Sequence, residues 1–397
     1  MFKSKSNLIK ELQQRGYIHQ CTDIKKFDGL AEKKKIIAYI GFDCTAKSLH
    51  VGSLIQLMLI RILQRTGHQV IVLLGGGTSK IGDPSGKDKS RQLLNDDDIK
   101  KNSQNIRKNI EKFTIKDSNV KKIKFLDNSV WLNNINYVDF LRKYGKNVSV
   151  NRMLTMDSIS ERLRREQPLS FLEFNYMIIQ AYDFLQLNSR ENCEVQFGGS
   201  DQWGNITAGV DLVRRINKKE VFGLTTPLIT TSSGNKMGKT DKGAVWLSEK
   251  LLSSNGYWQF WRNVDDKDVF SFLKLFTDLK VEYINNLKNN SSNEINNNKK
   301  ILADETTNLC HGKNLADSFV IKKNDLAKGL EMFKIVSLNK KIIQSNSESR
   351  RLIRGGAVKF NGKLITNELK IFSSNNIKNN KIEISIGKKN HFTVKII

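Results

Sequence analysis

Long hydrophobic runs, cysteine and proline are all scarce in this chain of 397 residues. No apolar stretch approaches the roughly 20 residues that a membrane helix needs, which excludes a spanning segment. The four cysteines lie far apart, and the five histidines form no ligand pattern with them. This spacing argues against both a disulfide framework and structural zinc. We therefore predict a globular protein without covalent or metal cross-links, long enough for two or three domains.

Acidic residues are also few. The chain has 40 Asp and Glu residues and 66 Lys and Arg residues, which gives a net charge of +26. Such a charge favours a polyanionic partner such as nucleic acid. An AT-rich genome would also raise the Lys and Asn content without any partner, and only three prolines are present. However, residues 331–397 alone carry a net charge of +10, leaving +16 for the other 330. Compositional drift alone explains this concentration poorly.

The N-terminal 20 residues lack the continuous apolar core of a secretory signal. Their four basic residues leave a mitochondrial presequence as an alternative. The spacing of Leu8, Leu12 and Ile18 fits an ordinary first helix better. We therefore expect a cytoplasmic protein.

Strand-like and helix-like segments alternate in the first part of the chain. An apolar run at 35–42 precedes a helical pattern at 54–65, and a second short run follows at 70–74. Further on, a strand-like run at 194–197 precedes a helical pattern at 206–216. This alternation predicts an α/β fold with a parallel sheet covered by helices, which binds ligands at the carboxyl ends of its strands.

The pattern becomes helical after residue 246, with aromatic residues at 257–261 and an apolar run at 269–276. The Asn-rich stretch at 289–300 predicts an exposed turn or helix edge. Apolar periodicity weakens around 334–346, which indicates a linker. Residues 347–397 contain one helical pattern and then short β-like runs, typical of a small separate module.

Two short motifs offer groups that could bind phosphate. The first contains Tyr39 to Thr45 and then His50-Val51-Gly52-Ser53 at the start of a helix, where unpaired N–H groups attract phosphate. The alternative for His50 is a helix cap or a packing residue. The second motif is Lys236-Met237-Gly238-Lys239-Thr240, between Gly234 and Gly243. Its lysines could neutralise a transferring phosphoryl group, although a solvated basic turn would look the same.

A polar stripe within an apolar helix predicts a small-molecule pocket. Tyr176, Gln180 and Asp183 are spaced i, i+4 and i+7 and therefore share one helix face. Burying these groups is unfavourable unless a ligand satisfies them, whereas a solvent-facing stripe needs no ligand. Thr78 and Asp83, near the Gly82-Asp83-Pro84-Ser85-Gly86 run, are further candidates.

The two phosphate motifs, taken together and in this order, resemble the HIGH and KMSKS signatures of class I aminoacyl-tRNA synthetases. Ser53 replaces the second histidine, Gly238 replaces the first serine of KMSKS, and Cys44 stands where the family often has proline. The segments YMIIQAYD, GDPSGK and GGSDQWGNITAG narrow the resemblance to bacterial tyrosyl-tRNA synthetases. The similarity runs from near residue 8 to the end of the chain.

The resemblance implies a role for particular residues. Tyr39 and Asp183 would bind the phenol hydroxyl of tyrosine, and Asp83, Tyr176 and Gln180 would bind its ammonium group. The remaining residues expected around tyrosine are Thr78, Gln196 and Gln202. The residues expected around ATP are Gly41, Asp43, His50, Gly52, Ser53, Gly199, Asp201, Lys236, Met237 and Lys239. The catalytic groups expected to act on the triphosphate are Thr45, His50, Lys87, Arg91, Lys236, Lys239 and Thr240.

The resemblance also implies a domain order and partners. A Rossmann-like catalytic domain would occupy 1–233, followed by a mobile KMSKS-like loop at 234–244 and a helical anticodon-binding-type domain at 245–330. A linker at 331–346 would lead to an S4-like α+β RNA-binding domain at 347–397. The residues expected to meet RNA phosphates are Arg350, Arg351, Arg354 and Lys359. ATP would enter with Mg²⁺ as a substrate complex, tRNA-Tyr would be the RNA partner, and the chain would form a homodimer with no tightly bound cofactor and no membrane partner.

Three other functions fit parts of the sequence. A tryptophanyl enzyme shares the scaffold, but its pocket must fit an indole, and Tyr39 with Asp183 argues against it. A non-catalytic RNA-binding relative would tolerate the altered residues Ser53 and Gly238, although a complete amino-acid pocket is retained. A small-molecule adenylyltransferase would explain an HxGH-type site but not the basic C-terminal module.

Overall fold

The computed structural model divides the chain into two compact units. Residues 1–247 and 271–285 form the first unit, and residues 248–270 and 286–397 form the second. This division cuts across the helical region predicted at 245–330. The ranges that the structure describes are 2–85, 94–232, 234, 237–240, 243–289, 294–312, 318–321, 325, 329–339, 342–343, 345–372, 381–387 and 390–396. The predicted site residues Lys87, Arg91 and Lys236 lie outside them.

A six-stranded sheet forms the centre of the first unit. Its strands are β1 (Gln20–Cys21), β2 (Ile37–Asp43), β3 (Gln69–Gly75), β4 (Lys124–Asp127), β5 (Val195–Gly199) and β6 (Phe222–Thr226). Their order is β1-β6-β5-β2-β3-β4, and all neighbours are parallel except β1 and β6. The strands predicted at 35–42, 70–74 and 194–197 are confirmed as β2, β3 and β5. The α/β class predicted for this part of the chain is confirmed with them.

The strand order places a ligand site at one particular edge of this sheet. From β2 the order runs through β3 to β4 on one side, and through β5 to β6 on the other. In an open parallel sheet, a crevice forms at the carboxyl ends of the strands where the order reverses. Here that point lies between Asp43, at the end of β2, and Gly199, at the end of β5.

Eleven helices occur within the described part of residues 2–247. They are α1 (Asn7–Arg15), α2 (Ile24–Lys33), α3 (Leu54–Arg65), α4 (Asp96–Lys112), α5 (Ser129–Leu132), α6 (Tyr137–Lys143), α7 (Val150–Leu154), α8 (Asp157–Arg164), α9 (Phe171–Phe174), α10 (Tyr176–Glu191) and α11 (Trp203–Asn217). The helix predicted at 54–65 has these bounds in the structure, and the pattern at 206–216 lies within α11. The predicted stripe of Tyr176, Gln180 and Asp183 lies in α10.

Helix α4 starts at a well-formed cap. Asn95 accepts a hydrogen bond from the backbone N–H of Asp98 at 2.8 Å, and Asp96, Asp97 and Asp98 fill the first turn. Carboxylates in the first turn favour a helix because they face the positive end of its dipole. The buried face of α4 includes Asn102 and Asn109, which are asparagines within an otherwise apolar row.

The N-terminal helix is tied to the segment 271–285 by buried polar contacts. Arg15 donates hydrogen bonds to the carbonyl oxygens of Lys274, Thr277 and Leu279, at 2.8–3.0 Å. The Tyr17 hydroxyl donates to the carbonyl oxygen of Leu275. Lys274 and Leu275 lie in the last turn of the helix Val269–Phe276, where carbonyl groups have no partner within the helix. The segment is therefore an integral part of the first unit.

The remaining elements follow the short hairpin of β7 (Lys239–Thr240) and β8 (Gly243–Ala244). The helices are α12 (Ser254–Arg262), α13 (Val269–Phe276), α14 (Val281–Asn289), α15 (Ile295–His311), α16 (Met332–Val336) and α17 (Asn346–Arg354). The strands are β9 (Ser318–Ile321), β10 (Leu330–Glu331), β11 (Val358–Phe360), β12 (Lys363–Ile365), β13 (Ile371–Phe372), β14 (Lys381–Ile386) and β15 (Asn390–Ile396). No helix in the described ranges combines the length and apolar character needed to cross a bilayer.

The second unit contains a five-stranded sheet in the order β12-β11-β14-β15-β9, in which only β9 is parallel to its neighbour. The predicted helix followed by short strands is confirmed within 347–397. The linker character predicted for 331–346 is wrong. Met332 and Val336 of α16 are almost fully buried in the same hydrophobic core as Val358 of β11. Five residues are too short to show a helical period, so the sequence pattern failed here.

Candidate active site

A cavity of about 200 Å³ lies at the carboxyl ends of β2 and β5. We call it the first cavity. Of the eight residues predicted to bind tyrosine, seven line it, namely Tyr39, Asp83, Tyr176, Gln180, Asp183, Gln196 and Gln202. Thr78 does not line the cavity itself. Its hydroxyl donates a hydrogen bond to Asp43, which does. The polar face of α10 therefore points into a cavity and not into solvent.

The carboxylate of Asp183 is buried and held by two donors. The Asn128 side-chain amide donates to one oxygen at 2.9 Å, and the Trp131 indole N–H donates to the other at 2.7 Å. Burial raises the pKa of Asp183 to about 7, and the two hydrogen bonds oppose that rise. Nearby Asp43 and Asp127 also raise this pKa. The side chain is thus a fixed acceptor whose charge is costly because it is buried.

Tyr39 presents a buried hydroxyl to the same cavity. Its side chain is 1% exposed, and its oxygen has no hydrogen-bond partner among the described residues. Burial, with the nearby Asp183 carboxylate, raises the pKa of Tyr39 well above its ordinary value. Gln196 also has a buried side-chain oxygen without a partner in this part of the chain. Buried polar atoms are nearly always satisfied, so both atoms indicate a polar ligand.

A second set of polar side chains lines the same cavity. Gln202 donates to a carboxylate oxygen of Asp83 at 2.7 Å, and the backbone N–H of Ser85 donates to the other at 2.9 Å. Asn205 donates to the side-chain oxygens of Gln180 and Gln202, at 3.2 and 3.0 Å. These contacts orient carbonyl and carboxylate oxygens, which are the acceptors that a ligand ammonium group requires.

Asp43 connects the first cavity to its neighbour. One carboxylate oxygen accepts from Thr78 and the other from Tyr176, both at 2.8 Å. Asn128 donates to Thr78 as well as to Asp183, so a continuous chain of hydrogen bonds links both carboxylates. Both cavities are lined by Asp43, Gly41 and Gln56. A ligand in one cavity therefore touches the wall of the other.

The second cavity has a volume of about 320 Å³ and lies beside the start of α3. The predicted ATP residues Gly41, Asp43, His50, Gly52, Ser53, Gly199 and Asp201 line it, as does Thr45. The His50 ring nitrogen Nδ1 accepts a hydrogen bond from the backbone N–H of Gly52 at 2.9 Å. His50 is therefore both a cap and part of the cavity wall. The backbone N–H groups of Gly52 and Ser53 both donate to His50, so the unpaired N–H groups predicted here are not found at these two positions.

The segment that follows the second motif pairs with the first motif through its backbone. Val51 donates to the carbonyl of Val245, and Leu247 donates to that of Leu49, both at 2.9 Å. Gly238 accepts from the backbone N–H of Val245 at 3.0 Å and has a φ of +88°. A Cβ atom on Gly238 would lie 2.9 Å from the backbone nitrogen of Gly52. For Lys239 and Thr240 the structure describes only the backbone, in β7. Met237 is buried.

The four predicted RNA-binding residues differ in exposure. Arg351, Arg354 and Lys359 are exposed, whereas Arg350 is only partly so. The Arg350 guanidinium lies 4.1 Å from the ring centre of Phe333, a cation–π contact that fixes it against the core. Arg354 pairs with Glu368 at 3.2 Å. Arg351 and Lys359 are therefore the most accessible cations of this set.

Sequence reasoning missed Asn128, Trp131 and Gln56. Asn128 directly follows β4, so the rule that ligand groups follow the carboxyl ends of strands could have found it. Trp131 and Gln56 lie among apolar residues and give no local signal. No cluster of three or more His, Cys, Asp or Glu side chains able to hold a metal ion occurs in the described ranges.

Comparisons with known proteins identify the family of this chain. The family described as tRNA synthetases class I (W and Y) matches residues 31–325. The tyrosine–tRNA ligase of Pelagibacter ubique is 50% identical, over 99% of this chain and 100% of that protein. That of Rickettsia typhi is 48% identical, over 98% of this chain and 99% of that protein. The truncated mitochondrial tyrosyl-tRNA synthetase of Aspergillus nidulans aligns with a TM-score of 0.70 and 30% identity, over 79% of this chain and 92% of that structure.

A parallel sheet with two adjoining cavities at its switch point, together with these matches, defines the class. The chain belongs to the class I aminoacyl-tRNA synthetases that include the tryptophan and tyrosine enzymes. It is thus an aminoacyl-tRNA ligase. Within that class it belongs to the bacterial-type tyrosyl-tRNA synthetases.

The raised pKa of Asp183 predicts a pH-dependent stability. The folded state holds this proton more tightly than the unfolded state, whose carboxyl titrates near 3.8. The stability gained from the proton is complete below pH 4 and is lost as the pH rises through 7. Between pH 5 and 8 the free energy of unfolding of the unliganded protein should fall by about 2 to 3 kcal/mol relative to Asp183→Asn. Urea denaturation at several pH values measures this, and a constant difference would contradict it.

Gly238→Ser should impair the enzyme although serine is the commoner residue in this signature. The substitution forces a side chain into a left-handed backbone and against Gly52. We expect tyrosine-dependent ATP–pyrophosphate exchange to fall about tenfold or more, the equivalent of 1–2 kcal/mol. Gly234→Ser is the matched control, because Gly234 has a φ of +81° but nothing within 4 Å of its Cβ position. Equal losses in both variants would show that backbone strain alone, without the Gly52 contact, is responsible.

Proposed function

We propose that the first cavity binds L-tyrosine, that the second binds ATP with Mg²⁺, and that tyrosyl-adenylate forms where they join. The enzyme then transfers tyrosine to the 3′-terminal adenosine of tRNA-Tyr. The observation that supports this most directly is the buried Tyr39 hydroxyl, which has no partner among the described residues and lines the same cavity as the fixed carboxylate of Asp183. A phenol hydroxyl can satisfy both, because it donates one hydrogen bond and accepts others.

Selection of tyrosine over phenylalanine follows from the same two groups. A phenylalanine ring would leave the Tyr39 hydroxyl and the Asp183 carboxylate without the partner they need. Leaving a buried polar group unsatisfied costs more than the net gain of an ordinary hydrogen bond. Discrimination therefore depends on the penalty for an unmade contact. An indole ring lacks a hydroxyl at the corresponding end, so the same argument disfavours tryptophan.

The ammonium group of tyrosine would face Asp83, Gln180 and Tyr176. Asp83 and Gln180 offer oxygens already oriented by Gln202 and Asn205. Tyr176 donates its proton to Asp43, which leaves the lone pairs of its oxygen as acceptors. With the phenol and ammonium ends held in this way, the substrate carboxylate is left to point toward the second cavity.

The chemistry requires no nucleophile from the protein. A tyrosine carboxylate oxygen attacks the α-phosphorus of ATP, the bond between that phosphorus and the bridging oxygen breaks, and pyrophosphate leaves with Mg²⁺. A ribose hydroxyl of the tRNA then attacks the acyl carbon and releases AMP. The chain contributes positioning and charge stabilisation. Thr45 and His50 would contact the triphosphate, and the lysines of the second motif would neutralise pyrophosphate.

For the C-terminal module we propose S4-like RNA binding through α17 and β11. Arg351 and Lys359 are exposed cations, so they can approach phosphates without losing a buried contact. Arg354 would have to give up its ion pair with Glu368 to bind a phosphate. Arg350 would act mainly by fixing α17 against Phe333.

We also propose a homodimer formed through helices α5–α9. Of the 15 large hydrophobic residues found strongly exposed in the described ranges, nine lie between residues 130 and 172. Val138 and Phe171 are each 69% exposed. Large apolar side chains concentrated in one segment indicate a protein interface. A second copy of the chain is the partner that the resemblance to dimeric synthetases favours.

Amino-acid-dependent ATP–pyrophosphate exchange tests the proposed function. Tyrosine should support exchange, whereas phenylalanine, tryptophan and no amino acid should not. Tyr39→Phe should lower kcat/KM for tyrosine about tenfold, because it removes one uncharged hydrogen bond, and should leave the KM for ATP unchanged. Tyr182→Phe is the control, since that hydroxyl pairs with Tyr144 and does not line the cavity. Exchange driven by tryptophan, or by no amino acid at all, would refute the assignment.

Sedimentation velocity tests the proposed dimer. Phe171→Asp places a charge on the exposed apolar segment and should convert a dimer into monomers at micromolar concentration. Leu364→Asp changes a side chain that is also strongly exposed but lies in β12, and it should leave the dimer intact. A monomeric wild-type protein, or a Phe171→Asp variant that remains dimeric, would rule out this interface.

A further inference from the structure

Three buried residues of α4 contact either the second cavity or the loop beside it. Asn102, Ile106 and Asn109 are spaced i, i+4 and i+7, so they share one face of the helix. They are 7%, 1% and 5% exposed, and Ile106 lines the second cavity directly. Two polar side chains thus stand on a buried face where apolar ones would ordinarily be favoured. Each has a specific partner in the loop that follows β2.

The two asparagines hold opposite ends of this loop. Asn102 donates its side-chain N–H to the carbonyl oxygen of Cys44 at 3.0 Å. The side-chain oxygen of Asn109 accepts from the Ser48 hydroxyl at 2.7 Å and from the backbone N–H of Leu49 at 3.0 Å. The held residues therefore precede Thr45 at one end and His50 at the other.

We propose that Asn102 and Asn109 are positioning residues that clamp the loop 44–49 and so fix Thr45 and His50 for the triphosphate. The inference rests on the proposed role of the second cavity in binding ATP. A group that stabilises a transition state by charge or hydrogen bonding is effective only when its supporting residues hold it in place beforehand. Because both contacts are made to the loop and neither to the β2 core, their loss changes the loop position first.

A purely structural role gives a different expectation. If the asparagines only satisfied buried polar atoms, their removal would lower the stability of the fold and leave the two substrates equally affected. If they position the phosphate-binding loop, their removal acts on ATP and leaves tyrosine binding intact, because neither residue lines the first cavity.

The test compares Asn102→Ala and Asn109→Ala with Asn188→Ala in the full-length enzyme. Asn188 is 1% exposed and makes the same kind of contact, donating to the carbonyl of Cys193 at 2.8 Å, but it lies at the far end of α10. We expect kcat/KM for ATP in the exchange reaction to fall tenfold or more in the two α4 variants. Tyrosine affinity, measured by calorimetry, should stay within about twofold of wild type. Asn188→Ala should lower the urea midpoint without changing the ratio of the two substrate parameters.

Two variants of equal charge, Asn102→Asp and Asn109→Asp, test the role of the individual hydrogen bonds. Asp at position 109 keeps the acceptor oxygen that Ser48 and Leu49 use, whereas Asp at position 102 removes the donor that Cys44 uses. Both place a carboxylate on the same helix face, so their difference reports on the hydrogen bonds. Asn109→Asp should recover part of the activity lost in Asn109→Ala, and Asn102→Asp should recover none relative to Asn102→Ala.

Each outcome bears on one proposal. Equal losses for ATP and tyrosine, unchanged exchange in folded α4 variants, or equal behaviour of the two Asp variants would overturn the clamp. Should Asn109→Ala fail to fold, Ser48→Ala removes one of the two contacts at the same end and should still raise the KM for ATP selectively. Absence of tyrosine-dependent exchange in the wild type would instead overturn the proposed function.

Discussion

The buried carboxylate of Asp183 is the constraint on which the first cavity depends. A charge in this position is unfavourable unless donors surround it, and the chain provides Asn128 and Trp131 immediately after β4. Asn128 also donates to Thr78, and Thr78 donates to Asp43. The hydrogen bonds that stabilise Asp183 therefore continue to Asp43, which lines the second cavity. Stabilising Asp183 therefore also fixes Thr78 and Asp43. A ligand meets groups that have already lost their conformational freedom.

The reversal of strand order explains why two cavities share one wall. Strand β2 lies between β3 and β5, and its carboxyl end carries Gly41 and Asp43 into both cavities. A reaction between a carboxylate and a phosphate needs the two substrates in contact, with water excluded between them. The sheet satisfies this need because its crevice opens where the connections diverge. Gln56, one turn into α3 beyond Ser53, completes the common wall and donates to Thr226 at 2.9 Å.

The sequence predicted much of this arrangement where the signal is local. The bounds of α3 and the shared helix face of Tyr176, Gln180 and Asp183 follow from periodicity alone. The partners of Asp183 could not be predicted from periodicity, because Asn128 and Trp131 lie 55 and 52 residues away in the chain. The prediction of a linker at 331–346 is wrong for a related reason. Four of the five residues of α16 are buried by tertiary packing, which a short window of sequence does not reveal.

The two signature motifs are more informative together than apart, and the structure gives a physical reason. Residues 49–51 pair with residues 245–247 through backbone hydrogen bonds, although nearly 200 positions separate them. Gly238 then approaches Gly52 so closely that only a missing side chain and a left-handed backbone fit there. The close contact with Gly52 therefore requires glycine at position 238. The absence of the usual serine does not indicate that the motif has lost its function. Because Gly238 and Gly52 are in contact, the size of the residue at either position is restricted by the other motif.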